Sequence, residues 1–117
     1  MNIEEFRDYC LAKPGVTEEM PFGPDTLVFK VGGKIFALTD INTFASINLK
    51  CEPSKALQLR EEYDAIKPGY HMNKKHWNTV QLDHTVPHTL LTELIDDSYN
   101  LVYVGLSKSE KFKMLNN

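Results

Sequence analysis

Between Thr26 and Val31 the chain alternates, with Leu27, Phe29 and Val31 on one side, the period of a half-buried strand. Gly32-Gly33 follows at once, and two residues that both tolerate positive φ make a two-residue hairpin turn. The return strand is Lys34 to Thr39, carrying Ile35, Phe36, Ala37 and Leu38. Asp40-Ile41-Asn42 reads as a second turn, and Thr43 to Lys50 as a third strand with Ala45, Ile47 and Leu49 on one face. Three strands joined by tight turns form an antiparallel meander.

Helical spacing flanks the meander. Residues 2–13 place Ile3, Phe6, Cys10 and Leu11 on one stripe, with Asn2 and Glu5 spaced as a capping box. Lys13-Pro14-Gly15 ends that helix, because Pro14 pushes Lys13 out of helical geometry. The stretch from Val16 to Asp25 reads as irregular, with Pro21 and Pro24 flanking Phe22-Gly23; Phe22 is expected to close over the core as a lid. Pro53 suits the first turn of a second helix running to about Asp64. Ala56, Leu59 and Tyr63 would be buried there, and Arg60, Glu61 and Glu62 would face water. Ala65 to Tyr70 is a short fourth strand, placed at an edge because Pro68 has no N–H to donate. Asn73 to His76 is a turn, and Trp77 to Asp83 a fifth strand with Trp77, Thr79 and Gln81 opposite Asn78, Val80 and Leu82. Pro87 opens a long helix to about Gly105, its stripe formed by Leu91, Leu94, Ile95, Leu101 and Val102. Ser107 and Glu110 form a second capping box, for a short last helix. The order α-β(3)-α-β(2)-α predicts an α+β fold of two layers, with helices on one face of a five-stranded antiparallel sheet.

Composition narrows the picture modestly. The 117 residues fit one domain, 1–117. A net charge of −3 argues against a protein that coats nucleic acid with its whole surface, but leaves room for a local basic face. Cys10 and Cys51 sit in apolar segments without CxxC spacing and read as buried thiols of a reducing, cytoplasmic compartment. The first ten residues lack the apolar region of a signal peptide, and no apolar run reaches the length of about eighteen residues that a membrane span needs.

One stretch stands apart in charge. The eighteen residues from Ala65 to Leu82 contain no Asp or Glu and three lysines, Lys67, Lys74 and Lys75. They also hold His71, His76, Asn73 and the only tryptophan, Trp77. A metal site is not expected, since His71, His76, His84 and His88 lack the spacing of a ligand set and no cysteine completes one. No G-x-S-x-G elbow, Walker A or G-x-G-x-x-G pattern occurs, so no catalytic residue and no cofactor is assigned. Lysines at a bend suit phosphate contacts. On that reading Lys67, Lys74, Lys75, His71 and His76 would meet phosphates. Asn73 would donate a hydrogen bond, and Tyr70 and Trp77 would offer stacking faces if exposed. Two alternatives use the same elements. In one, the open sheet face receives a protein partner. In the other, the segment is structural, with Trp77 a core anchor and His71 and Asn73 tying down the loop. The expected partners are DNA or a protein, not a membrane, for a monomer or weak dimer.

Several segments together resemble the MmcQ/YjbR-like family of small bacterial proteins, over nearly the whole chain. They are Lys13-Pro14-Gly15, Pro21-Phe22-Gly23, Val28-Phe29-Lys30-Val31 with Gly33-Lys34-Ile35-Phe36-Ala37, and Leu49-Lys50-Cys51 with Pro53. The most specific is Ile66 to Trp77, followed by Leu94-Ile95 and Ser98-Tyr99. The resemblance implies a two-layer fold like that of secretion-chaperone-like proteins. It also implies a DNA-binding label that rests on a proposed double-wing arrangement. His71, Asn73, Lys74, His76 and Trp77 look family-typical, and the resemblance implies no catalytic set.

Overall fold

The structure is a computed structural model and describes residues 1–70 and 72–115. The elements are α1 (Ile3–Leu11), β1 (Val16–Glu19), β2 (Thr26–Val31), β3 (Lys34–Asp40), β4 (Ser46–Lys50), α2 (Pro53–Glu62), β5 (Ile66–Pro68), β6 (Trp77–Gln81), α3 (His88–Val104) and α4 (Lys108–Leu115). The sheet has six strands in the order β1-β2-β3-β4-β6-β5, every neighbour antiparallel. The expected α+β class and antiparallel meander are present, with one strand more than the sequence pattern predicts.

That extra strand is β1, in the segment expected to be irregular. Val16 to Glu19 pairs with β2 in the register Val16↔Val31 and Glu19↔Val28. It lies at the sheet edge, where one side faces water, so a strand can carry two glutamates and need only its partner's ladder. Gly32 and Gly33 take φ of +58° and +80°, as a two-residue hairpin between β2 and β3 requires. β4 starts three residues later than expected. Phe44 adopts φ +42°, which breaks the extended run and leaves Ala45 exposed instead of on the buried face.

Both predicted capping boxes form. Glu5 N–H donates to Asn2 Oδ1 at 2.8 Å and Asn2 N–H to Glu5 Oε1 at 3.1 Å. Ser107 and Glu110 exchange the equivalent bonds at the start of α4. Along α1, Phe6 and Cys10 are fully buried, whereas Leu11, about 100° further round, turns outward. Lys13 is ion-paired to Asp96 of α3, and the Tyr99 hydroxyl donates to the Pro14 carbonyl at 2.6 Å. The Lys13-Pro14-Gly15 turn is thus tied to the long helix.

On α3 the buried stripe runs through Leu91, Leu94, Ile95, Ser98, Tyr99 and Val102, while Leu101 is part-exposed, contrary to expectation. Ser98 is fully buried and polar for a reason. Its hydroxyl donates to the Phe36 carbonyl at 2.5 Å and accepts from the Lys50 N–H at 2.8 Å. The ladder bonds of β2 and β3 shift register at a bulge next to Phe36, and Ser98 fastens helix to sheet there.

The sheet has two unlike faces. Inward rows such as Leu27–Thr39–Ile47–Val80–Ile66 join a core to which all four helices contribute. The row one residue along, Glu19–Val28–Leu38–Asn48–Thr79–Lys67, points the other way. Chain order reaches this arrangement by a crossover. α2 carries the chain past one strand position to the edge strand β5, and β6 then returns between β4 and β5. Pro68 falls on that edge, as expected.

Candidate functional site

The basic segment forms the bend between β5 and β6, and backbone bonds hold it closed. Gly69 N–H donates to the Trp77 carbonyl at 2.8 Å. The Asn73 carbonyl accepts from the N–H groups of His76 (3.2 Å) and Trp77 (3.0 Å), and its Oδ1 accepts from Lys75 N–H at 3.0 Å. The His76 carbonyl accepts from Cys51 N–H at 2.7 Å, fastening the bend to the end of β4. Gly69 must be glycine because a Cβ there would lie 2.8 Å from Trp77 Cβ and 3.0 Å from its carbonyl oxygen.

A residue expected to face water braces this bend. Arg60 of α2 is half-buried and donates from Nε to Asn78 Oδ1 at 2.7 Å, and from Nη2 to the carbonyls of Trp77 (3.2 Å) and Lys74. Asn78 is buried on the inward face, and its Nδ2 has no partner. No signal in the sequence marked Arg60, because its acceptors lie fourteen to eighteen positions away on another element.

The lysines of the bend point to water. Lys67, Lys74 and Lys75 are exposed, and Lys74 Nζ makes only a 3.3 Å bond to the Gly69 carbonyl. Among the described residues, the cations found in ion pairs are Arg7, Lys13, Lys30, Lys34 and Lys55. None of Lys50, Lys67, Lys74 or Lys75 is among them. The pairs elsewhere occupy carboxylates firmly. A hydrogen bond from Arg7 holds the Glu18 carboxyl below its ordinary range, and a bond to Asp97 raises the Lys55 ammonium.

The other candidates divide. Asn73 spends its side-chain oxygen inside the turn. His76 is half-buried. Trp77 is not a core anchor: it pairs with Lys50 in a row facing away from the helices, is half-buried, and stands outside the core cluster. His71 lies outside the described residues.

The outward face gathers a second signature segment beside the bend. A cleft of about 620 Å³ lies over the sheet, lined among others by Phe22, Ile35, Leu38, Asn48, Tyr70 and Met72. Phe22 is not a lid on the core; the residue is 65% exposed. The loop from Pro21 to Asp25 delivers it to the face opposite the helices. Tyr70 is 69% exposed, and its N–H donates to Thr79 Oγ1 at 3.0 Å, which in turn donates to Asn48 Oδ1 at 2.5 Å. This short relay fixes the loop above the sheet and leaves the Asn48 carboxamide nitrogen as a donor at the cleft floor.

Among the described residues, no three of His, Cys, Asp and Glu stand close enough together to hold a metal ion. Burial pushes the Cys10 thiol up to about 12 and raises Cys51 as well, so neither is a thiolate near neutral pH. Among the described residues, no helix is long and apolar enough to cross a membrane.

A sequence model of the YjbR family matches residues 11–101, which takes in every signature segment described above. The chain belongs to the YjbR family. It is 46% identical over 109 residues to the uncharacterized protein YbdF of Escherichia coli O157:H7, covering 92% of this chain and 89% of that one. To the uncharacterized protein YjbR of Escherichia coli K12 it is 34% identical over 116 residues, 98% of each chain. The crystal structure of Deinococcus radiodurans DR2400 superposes with a TM-score of 0.89 at 42% identity, covering 97% of this chain and 87% of that one. The likeness in sequence is thus matched by a likeness in fold over nearly the whole chain.

Proposed function

We propose that this YjbR-family protein binds DNA through the basic β5–β6 bend. The observation that carries the reading is the set of ammonium groups on Lys50, Lys67, Lys74 and Lys75. They lie at one end of the sheet with no carboxylate within ion-pair distance among the described residues, in a chain whose net charge is negative. Lys67, Lys74 and Lys75 contact phosphates, His76 and Trp77 border them, Asn73 shapes the turn, and Arg60 holds it in place. His71 is proposed as a further phosphate contact on its sequence position alone.

Three or four phosphate contacts predict a shallow footprint. Log affinity should fall with log salt at a slope of about −3, and affinity at physiological salt should lie in the micromolar range or weaker. Titration of labelled DNA at two salt concentrations tests this. Lys74→Ala/Lys75→Ala should reduce the slope by about 2 and leave the melting temperature unchanged, because neither ammonium makes a strong internal bond. Absence of binding at low salt refutes the reading.

A second reading has its own support. Phe22, Tyr70 and Met72 line a cleft on the face turned away from the helices, which suits a protein partner. On that reading Phe22→Ala abolishes capture of the partner and leaves DNA affinity untouched.

A further inference from the structure

The geometry points to single-stranded nucleic acid, lying across the outward sheet face with its bases against Phe22 and Tyr70, as the form this site takes. The inference rests on the proposed basic-bend reading and names the occupant of that site.

The first ground is continuity. Lys67 ends the outward row Lys67–Thr79–Asn48–Leu38, and Lys50 stands beside Trp77 in the next. The cationic bend and the aromatic cleft are therefore neighbouring parts of one surface, about 14 Å across from β5 to β3. A backbone held at the lysine end would lay its bases along that row.

The second ground is the chemistry of the cleft. Two aromatic residues, 65% and 69% exposed, reach it from loops 48 positions apart in sequence. Between them the floor offers Asn48, Ser46 and Thr26. Asn48 Oδ1 is occupied by Thr79, so its amide nitrogen is available to a base carbonyl. Exposed rings over an antiparallel sheet, with polar groups between, suit unstacked bases, whose faces are accessible only in a single strand. A duplex hides those faces, and the bend is not a helix or ribbon long enough to fill a major groove.

The third ground is charge direction. The far end of the cleft is acidic, with Asp40 in its lining and Asp25 bonded to Asn42 nearby. Phosphates are favoured only at the lysine end, so the occupied run is short, about two or three bases.

The test compares a labelled oligothymidylate, its RNA counterpart and a hairpin duplex by fluorescence anisotropy at low and high salt. Single strands should bind at least tenfold tighter than the duplex. Tyr70→Ala and Phe22→Ala should each weaken single-strand binding by roughly five- to a hundredfold, and Phe22→Ala should leave the melting temperature unchanged because Phe22 is largely exposed. Lys74→Ala/Lys75→Ala should weaken single strand and duplex alike. Equal or tighter duplex binding, unaffected by Tyr70→Ala and Phe22→Ala, overturns this inference and leaves the basic-bend reading standing. No binding to any of the three probes at low salt overturns both.

Discussion

Replacing Arg60 with alanine isolates what holds the basic bend in place. The guanidinium has three acceptors, and their surroundings decide which matters. The Lys74 carbonyl is exposed and that of Trp77 only part-buried, so water can replace most of those two bonds. Asn78 is 3% exposed, its Nδ2 is already without a partner, and Arg60 Nε is the donor to its Oδ1. Removing Arg60 leaves a buried carboxamide unpaired at both ends. A buried polar group stripped of its partner costs about 1–3 kcal/mol, and the carbonyl bonds add a fraction more. The expected loss is therefore about 2–3 kcal/mol, a melting temperature lower by roughly 10 °C for a chain of this length. Urea unfolding measures it directly. Among the described residues Arg60 has no carboxylate partner, so the loss should not change with salt. Asn78→Leu in the Arg60→Ala background should recover at least half of it, since replacing both partners by apolar groups removes the orphaned amide. A loss below about 0.5 kcal/mol, or one that Asn78→Leu fails to reduce, refutes the argument.

Two further outcomes follow from buried and depressed groups. Ser98→Ala should cost about 2–3 kcal/mol by urea unfolding, because the Phe36 carbonyl and Lys50 N–H both lose their partner inside the fold; a near-neutral result would mean the helix and sheet re-pair without it. Stability should also fall in acid. Hydrogen bonds from Arg7, Ser54, Ser107 and Thr85 hold Glu18, Glu52, Glu110 and Asp83 below their ordinary values of 4.5 and 3.8. A carboxyl depressed in the folded state contributes above its unfolded pKa and loses that contribution as pH drops through the folded one. The melting temperature should be flat from pH 8 to 6 and decline below about pH 4.5; a maximum below pH 4 would contradict it.

What could be read in advance was whatever the local chain decides by itself. Gly32-Gly33, the Asn2/Glu5 and Ser107/Glu110 boxes and the Leu27, Phe29, Val31 alternation act within a few residues, and each appears where the pattern put it. β1 was not legible, because Val16 to Glu19 becomes a strand only through the ladder that β2 offers. The place of Ser98 in the buried stripe of α3 was not legible either, because its acceptor, the Phe36 carbonyl, lies 62 positions away on β3. The bend was visible through its charge, but its environment was not. Phe22 and Tyr70 meet over one cleft only after the meander and the α2 crossover have folded, and Arg60 reaches Asn78 only across two elements.

The rims of the sheet bear on how the molecule meets its neighbours in a crowded cell. One outermost strand is three residues long and includes a proline that cannot donate to an incoming chain; the other is four residues long and ends in two glutamates. Neither margin offers a template long enough for stacking copies edge to edge, so growth toward fibrils is discouraged from both sides.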